Sequence, residues 1–584
     1  MKRLNLILLS LVTIFAIAAC GNDDTTPEEK DTKQVPTTTA TPTPEPTPEP
    51  TPVIVYAPEE DFEFDFHAET QGVMITGYTG REINLNIPPT IQGEKVTVIG
   101  DQAFFRNSSF AEIILPDTIL IIGDNAFTNS AGLSSMIIPD SVITIGEGAF
   151  EDSFRLADVT IGNSVTSIGD RAFANTGLTD IVISDSVLTI GERAFSYSDS
   201  LNISRPAPGS MPHPDLEGNI RKIDPPQSYE FKDVYTQISS VTLGSSVTTI
   251  GKEAFAYSDL TSLEIPDSVT TIEEKAFYGN LSLTDVKFGD GLITIGDMAF
   301  ENTKISSAEL PNSLVTIGER AFYNTLLTNV TLGNSVEIIG NGAFLLTEIT
   351  SIELPNSLTT IGNFAFAGTN LTSIIIPDSV TSIGDWAFAN TSIKSAVIGN
   401  GVTTLGFTDY DLMYEDYESY EESIAYGTGK GAFSNNPNLT SVTLGNNLTV
   451  IGYEVFRNSG LTNVTIPNTV KLIGVQAFEN ISITSLVIPD SVEEIQSLAF
   501  AYVSSLKDIS LGSNISDLNM SAFQGCTSIS EESLKTILNW YVGYETSILS
   551  GWQAPFKFST RQVQESVRYT IYLIEGFDPN NYRR

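Results

Sequence analysis

Two cysteines and two histidines serve a chain of 584 residues. Cys20 and Cys526 allow at most one disulfide, so no disulfide framework holds this chain together. His67 and His213 stand far apart in sequence, which excludes an H-E-x-x-H zinc site or a His-based triad as a local motif. Positive charge is also scarce: 30 Lys and Arg face 71 Asp and Glu, for a net charge of −41. Such a surface repels nucleic acid and anionic lipid. Long apolar runs are missing except from Leu4 to Ala19, which falls short of the about 20 residues that a membrane-spanning helix needs.

That run follows Lys2 and Arg3 and ends at Cys20, so residues 1–19 read as a signal peptide. Ile17-Ala18-Ala19-Cys20 resembles the lipobox of bacterial lipoproteins. The resemblance implies cleavage before Cys20, a diacylglycerol on its sulfur, and display at the bacterial cell surface as a membrane-anchored lipoprotein. Ordinary cleavage near Ala18, with a free secreted product, is the alternative. Residues 20–52 then form a Pro/Thr-rich stalk, PTTTATPTPEPTPEPTP from Pro36 to Pro52. In polyproline II geometry, at about 3.1 Å per residue, it would reach up to roughly 100 Å from the lipid.

What the sequence has in abundance is repetition. TIGERAF runs from Thr189 to Phe195 and again from Thr316 to Phe322, and looser copies end at Phe104, Phe127, Phe150, Phe173, Phe255, Phe277, Phe300 and onward to Phe523. Successive Phe residues lie 22 or 23 apart wherever nothing is inserted. A period in that range reads as a solenoid. In the unit LTSIIIPDSVTSIGDWAFANT, Leu371, Ile374 and Ile376 alternate with Ser373 and Ile375, the pattern of a short strand with one buried face. Pro377-Asp378-Ser379 turns the chain, Val380 and Ile383 return inward, Gly384 permits a tight bend, and Ala387 and Phe388 plug the core. Identical neighbours above and below demand identical inward residues, which is why TIGERAF returns unchanged.

This unit resembles the BspA-type leucine-rich repeats of bacterial surface proteins. The resemblance covers roughly Phe62 to Cys526. It implies an α/β-type repeat solenoid that is mostly β, a curved stack with N- and C-terminal caps, and frequent roles in adhesion to matrix glycoproteins or to other cells. The expected divisions are an N-terminal cap over 53–98, the solenoid over 99–526, and a C-terminal cap or small module over 527–584. Insertions near 202–237 and 407–429 break the period. Ser528-x-x-Glu531 predicts the start of a helix reaching Trp540, and Ser559–Ile574 a second.

Candidate sites follow from the columns that stacking creates. Asp101, Asp124, Glu147, Asp170 and Glu192 read as a solvated acidic edge. Cys526 occupies a place that is Asn, Ser or Thr in most turns, so it reads as a buried small residue. The second insertion interleaves Asp409, Asp411, Glu415 and Asp416 with Tyr410, Tyr414, Tyr417 and Tyr420. Calcium suits clustered carboxylates, yet the sixth position of an EF-hand loop started at Asp409 is Tyr414 where Gly is required. A solvated loop and a recognition patch are the other readings. For the patch, Phe364 and Trp386 are expected as exposed aromatic anchors beside the acidic flap; alternatively, the flap covers them. The outward strand positions, Ile114, Ile137, Thr160, Val182 and their successors, form a second candidate face.

The sequence therefore points to a non-catalytic, adhesin-like protein that binds a protein or glycoprotein outside the cell, with no cofactor, metal or nucleic acid. A scaffold of the cell envelope is the alternative, and an enzyme with its site in the insertions or the C-terminal module a third.

Overall fold

A computed structural model describes residues 55–197, 238–406 and 431–540, apart from 538 and 539. Across them the chain coils through seventeen turns, each closed by one Phe of the repeat. Every turn has three sides.

The first side is a short strand such as Ser373–Ile376, in which Ile374 and Ile376 are buried and Ser373 and Ile375 exposed. β-branched residues suit this half-buried pleat. The second is a two-residue strand such as Ser382–Ile383, placed where the sequence shows only an inward-returning Ile. These two-residue strands pair in parallel and in register, Thr189 with Thr249 and Ile190 with Ile250 for example. With the N-terminal hairpin they build one 15-stranded sheet that runs to Ser382–Ile383, and a 5-stranded sheet continues from Thr404–Leu405 to Asp517–Leu518.

The third side is the G-x-x-AF segment, which forms no strand but is hydrogen-bonded from turn to turn. Phe104 N–H donates to the Ala126 carbonyl at 2.8 Å, Phe127 N–H to Ala149 at 2.7 Å, and so on up the stack. The N–H groups two residues before and after Phe do the same, Gln102 to Asp124 and Arg106 to Thr128. Those two flanking residues take left-handed backbone in turn after turn: φ is 57° at both Gln102 and Arg106, 53° at Arg320 and 54° at Asn324. The later site is mostly Asn or Gly, which visit this region most easily. The earlier one varies widely and includes Arg, Lys, Met, Phe and Trp, and the bonds between turns hold it there.

Inside, the repeat Phe rings stack in one ladder from Phe104 to Phe523, with centroids from 5.0 Å apart at Phe104–Phe127 to 5.8 Å at Phe433–Phe456. The ladder continues through both insertions, at 5.2 Å for Phe195–Phe255 and 5.1 Å for Phe388–Phe433. Strand register does likewise, Ser395 facing Ser441 across the second. The stacking of the coil is therefore the same across each insertion as elsewhere.

At the N-terminal end, Phe62–His67 pairs antiparallel with Gly72–Tyr78, which lies parallel to Glu94–Ile99. Tyr78 stands 5.9 Å from Phe104 and Phe62 stands 5.1 Å from Tyr78, so this hairpin closes the ladder. At the other end a helix covers residues 531–537, with Ile537 buried and Leu534 against the core. Its cap differs from the expected one: the Ser533 N–H donates to Ser530 Oγ at 3.3 Å, two residues after Ser528. Any Ser offers the same oxygen, and Ser528 is spent on the turn after Cys526. The second expected helix, Ser559–Ile574, lies outside the described residues, as do the signal peptide, Cys20 and the stalk.

Candidate binding surfaces

One candidate surface is the outer side of the longer strands. Ile114, Ile137, Val182, Ile375 and Val487 are 55, 70, 64, 69 and 66% exposed on it. Between them the same column carries Glu264, Lys287 and Glu309, with Lys287 Nζ 2.5 Å from Glu264 Oε1. A row of small polar residues runs beside this column, Ser240, Ser262, Ser307 and Ser373 among them.

The acidic column after each IG pair is more than a solvated edge. Asp101 Oδ1 accepts the Asp124 N–H at 2.9 Å, Asp124 Oδ1 the Glu147 N–H at 2.8 Å, and Asp170 Oδ1 the Glu192 N–H at 2.7 Å. A second ladder follows the longer strands, where Asp185 accepts from Ser245 at 2.7 Å and Asp490 from Ser513 at 2.7 Å. Those bonds hold the Asp185 and Asp490 carboxyls below their usual range. Part of the acidity of this chain thus caps backbone N–H groups that sheet pairing leaves over.

On the third side of the middle turns, the sequence reading is corrected. Phe364 and Trp386 are not exposed anchors: they are 4 and 1% exposed, with ring centroids 5.8 Å apart. Tyr323, Leu345, Leu346, Ala367 and Ala389 join them in a small apolar cluster separate from the main core. Beside it, Arg320 Nη2 donates to Glu301 Oε1 at 2.7 Å, and the guanidinium lies 4.6 Å from the centre of the Tyr323 ring. Burial pushes the Glu301 carboxyl up to about 7 despite the pull of Arg320, and pushes the Tyr323 hydroxyl up to about 12. The sequence reading followed only the column two places before Phe. The column just after Phe, where Glu301, Tyr323 and Leu345 sit, carried the missing signal.

Of the remaining candidates, Cys526 is buried, and its Sγ donates to the Phe500 carbonyl at 3.1 Å. Ser130 and Asn280 make the same bond in their own turns, to Phe104 and Phe255. Cys526 is the structural small residue expected of it. His67 Nδ1 lies 3.0 Å from Thr70 Oγ1 in the hairpin turn. Among the described residues, no three His, Cys, Asp or Glu side chains converge as a metal site would require. Asp409, Tyr410, Asp411, Tyr414, Glu415, Asp416, Tyr417 and Tyr420 lie outside the described residues.

Comparison with known proteins bears on the fold. Solved structures that resemble the chain include a leucine-rich repeat protein from Bacteroides ovatus, at 22% identity over 80% of this chain and 91% of that one, with a TM-score of 0.39. A leucine-rich cell surface protein from Faecalibacterium prausnitzii matches at 22% identity over 82% of this chain and 95% of that one, TM-score 0.31. The pneumococcal vaccine antigen PcpA matches at 20% identity over 73 and 89% of the two chains, TM-score 0.35. No curated protein matches the chain. The family model described as the BspA type leucine rich repeat region matches residues 83–202, 226–347, 337–410 and 428–540, well over half the sequence, and the chain belongs to that family.

Proposed function

We propose that this protein is a non-catalytic binding protein displayed outside the cell, which meets a protein or glycoprotein through the outer side of its longer strands. One observation carries the reading: aliphatic side chains such as Ile137, at 70% exposure, stand on a surface where the fold accepts Thr, Glu or Lys equally well. Exposed apolar groups that adjoin one another, as Ile114 and Ile137 do in register, are the kind of surface that marks interaction sites. A long row of such contacts gives many weak interactions, and several copies in one membrane add avidity. The acidic, Tyr-bearing insertion at 407–429 is a second contact region under this reading. Acylation of Cys20 would anchor the chain, and residues 20–52 would carry the solenoid away from the membrane.

The test is binding of soluble Val53–Arg584 to immobilised matrix glycoproteins and glycans, beside a twin lacking Phe407–Gly429. Saturable binding to a polypeptide ligand supports the reading, and its loss in the twin assigns the insertion. Silence from both proteins moves the weight to an envelope scaffold. Cys20→Ala, followed by labelled palmitate incorporation and membrane fractionation, tests the anchor separately.

A further inference from the structure

We propose that the outward stripe of Ile114, Ile137, Thr160 and Val182, with its acidic borders, is a docking surface for an extended, cationic segment of a partner polypeptide. The proposal rests on the binding reading above and narrows it to a place and a partner chemistry.

The stripe is straight. Ile114 pairs in register with Ile137, and Ile137 with Thr160, while Val182 holds the same position on the next turn. Ile114, Ile137 and Val182 are 55, 70 and 64% exposed, so more than half of each faces water. Nothing in the coil demands this, because the same position holds Thr242, Glu264, Lys287 and Glu309 in the following four turns.

The borders are equally particular. Two residues before the stripe stand Glu112, Ser135, Asp158 and Asp180, and the three acids among them are exposed. That position is Ser in Ser240, Ser262 and Ser307, so the acids too are unneeded for folding. On the other side Asp140 and Asp185 are held in place by the N–H groups of Asn163, at 2.9 Å, and Ser245, at 2.7 Å. No Lys or Arg occupies the stripe or either border over these four turns. A mostly aliphatic stripe between two largely acidic rows that carry no Lys or Arg fits a partner with the opposite pattern. Arg and Lys match it, since their aliphatic stems can lie on isoleucine while their heads reach carboxylates. Three steps of about 4.8 Å make the stripe roughly 14 Å long, or about four to five residues of extended chain. Farther along, Ile375 repeats the exposed aliphatic at 69%, but Ser373 and Ser395 replace the acids beside it. Ile375 is therefore an internal control.

The experiment titrates the full-length chain, held in mild detergent, into a labelled peptide that alternates Arg and Val, and into Glu–Val and Ser–Val counterparts. Saturable, salt-sensitive binding of the Arg–Val peptide alone is expected. Ile114→Ser with Ile137→Ser weakens it at least tenfold, as does the triple variant Glu112→Gln, Asp158→Asn, Asp180→Asn, while Ile375→Ser leaves it unchanged. All these positions are exposed, and unchanged melting shows that each variant is folded. Equal binding of the three peptides, no binding of Arg–Val, or binding that ignores both stripe and border variants overturns the proposal. If ligand capture on the matrix array persists in the stripe and border variants, the binding reading stands and this surface is wrong; if the array stays silent for wild type, the reading itself falls.

Discussion

Arg320 Nη2 lies 2.7 Å from Glu301 Oε1, with both side chains shut away from water at 7 and 2% exposed. Desolvation outweighs the attraction for the acid: burial pushes the Glu301 carboxyl from 4.5 up to about 7, although Arg320 and, more weakly, Lys275 pull it down. A carboxyl that holds its proton more tightly when folded contributes most below about pH 4.5, and that contribution is lost as pH rises through about 7. The melting temperature should therefore fall across this window more steeply in wild type than in Glu301→Gln, whose amide keeps the shape and an oxygen for Arg320. Parallel pH profiles for the two proteins would refute the assignment.

Removing a rung of the Phe ladder should cost most in the middle of the stack. Phe344 is fully buried, 5.5 Å from Phe322 and 5.4 Å from Phe366. Phe→Ala in such a core costs about 3–5 kcal/mol through lost burial and a residual cavity. Since each turn of a solenoid contacts only its neighbours, Phe344→Ala should also split a single urea transition into two. Phe523→Ala, with one ring neighbour at 5.5 Å, should lower the midpoint less and leave one transition.

Most of the fold was legible because the repeat states it seventeen times, and each copy tests the others. The inward set Leu371, Ile374, Ile376, Val380, Ile383, Ala387 and Phe388 is buried throughout, as its periodicity predicts. What stayed hidden depends on relations between turns. That Asp101 caps the Asp124 N–H cannot be read until the third side is known to leave that donor facing the preceding turn. For Phe364 and Trp386 the sequence leaves open exposed anchors or cover by the flap, because an aromatic at a turn position reads as outward unless the adjacent column is stacked beside it. The stripe at Ile114 was visible as a column, but only measured exposure separates it from ordinary sheet propensity.

The acid ladders carry a pH dependence of the opposite sign to Glu301. Asp490 is held below its ordinary value of 3.8 chiefly by the Ser513 N–H, so its stabilising contribution is present above that value and fades as pH falls through its folded pKa. Asp490→Asn should keep the rung, as Asn312 does for the Asn334 N–H at 3.1 Å, yet flatten acid unfolding at that end of the stack. Asp490→Ala removes the acceptor and should lower stability at neutral pH as well. Calorimetry at neutral and acid pH separates the two variants, and identical behaviour would show that the carboxylate makes no contribution through this bond.

Cys526 should be chemically silent. Burial pushes its thiol up to about 12, and its Sγ already serves the Phe500 carbonyl. In a Cys20→Ala background, a thiol reagent at mildly alkaline pH should label no site until denaturant is added. Cys526→Ser should fold and melt within a few degrees of its parent, because a hydroxyl fills the same role at Ser130 and Ser153. Rapid labelling of the native protein would mean that the last turn opens far more readily than its packing implies.

Trp386 sets two costs against each other. Its side chain is 1% exposed and stacks on Phe364, so truncation should cost about 3–5 kcal/mol. Its backbone sits at φ 56°, where any side chain is disfavoured relative to glycine by about 1–2 kcal/mol. At most positions a change to glycine is worse than a change to alanine. Here the order should reverse: Trp386→Ala loses the packing and keeps the strain, while Trp386→Gly loses the packing and releases it. Gly148 and Gly342 show the same place filled without a side chain, at φ 57° and 58°. Chemical denaturation of the two variants is the check, alongside binding to the matrix array. Both should bind as wild type if the cluster is structural. A variant that melts normally but loses binding would return Trp386 to the recognition surface.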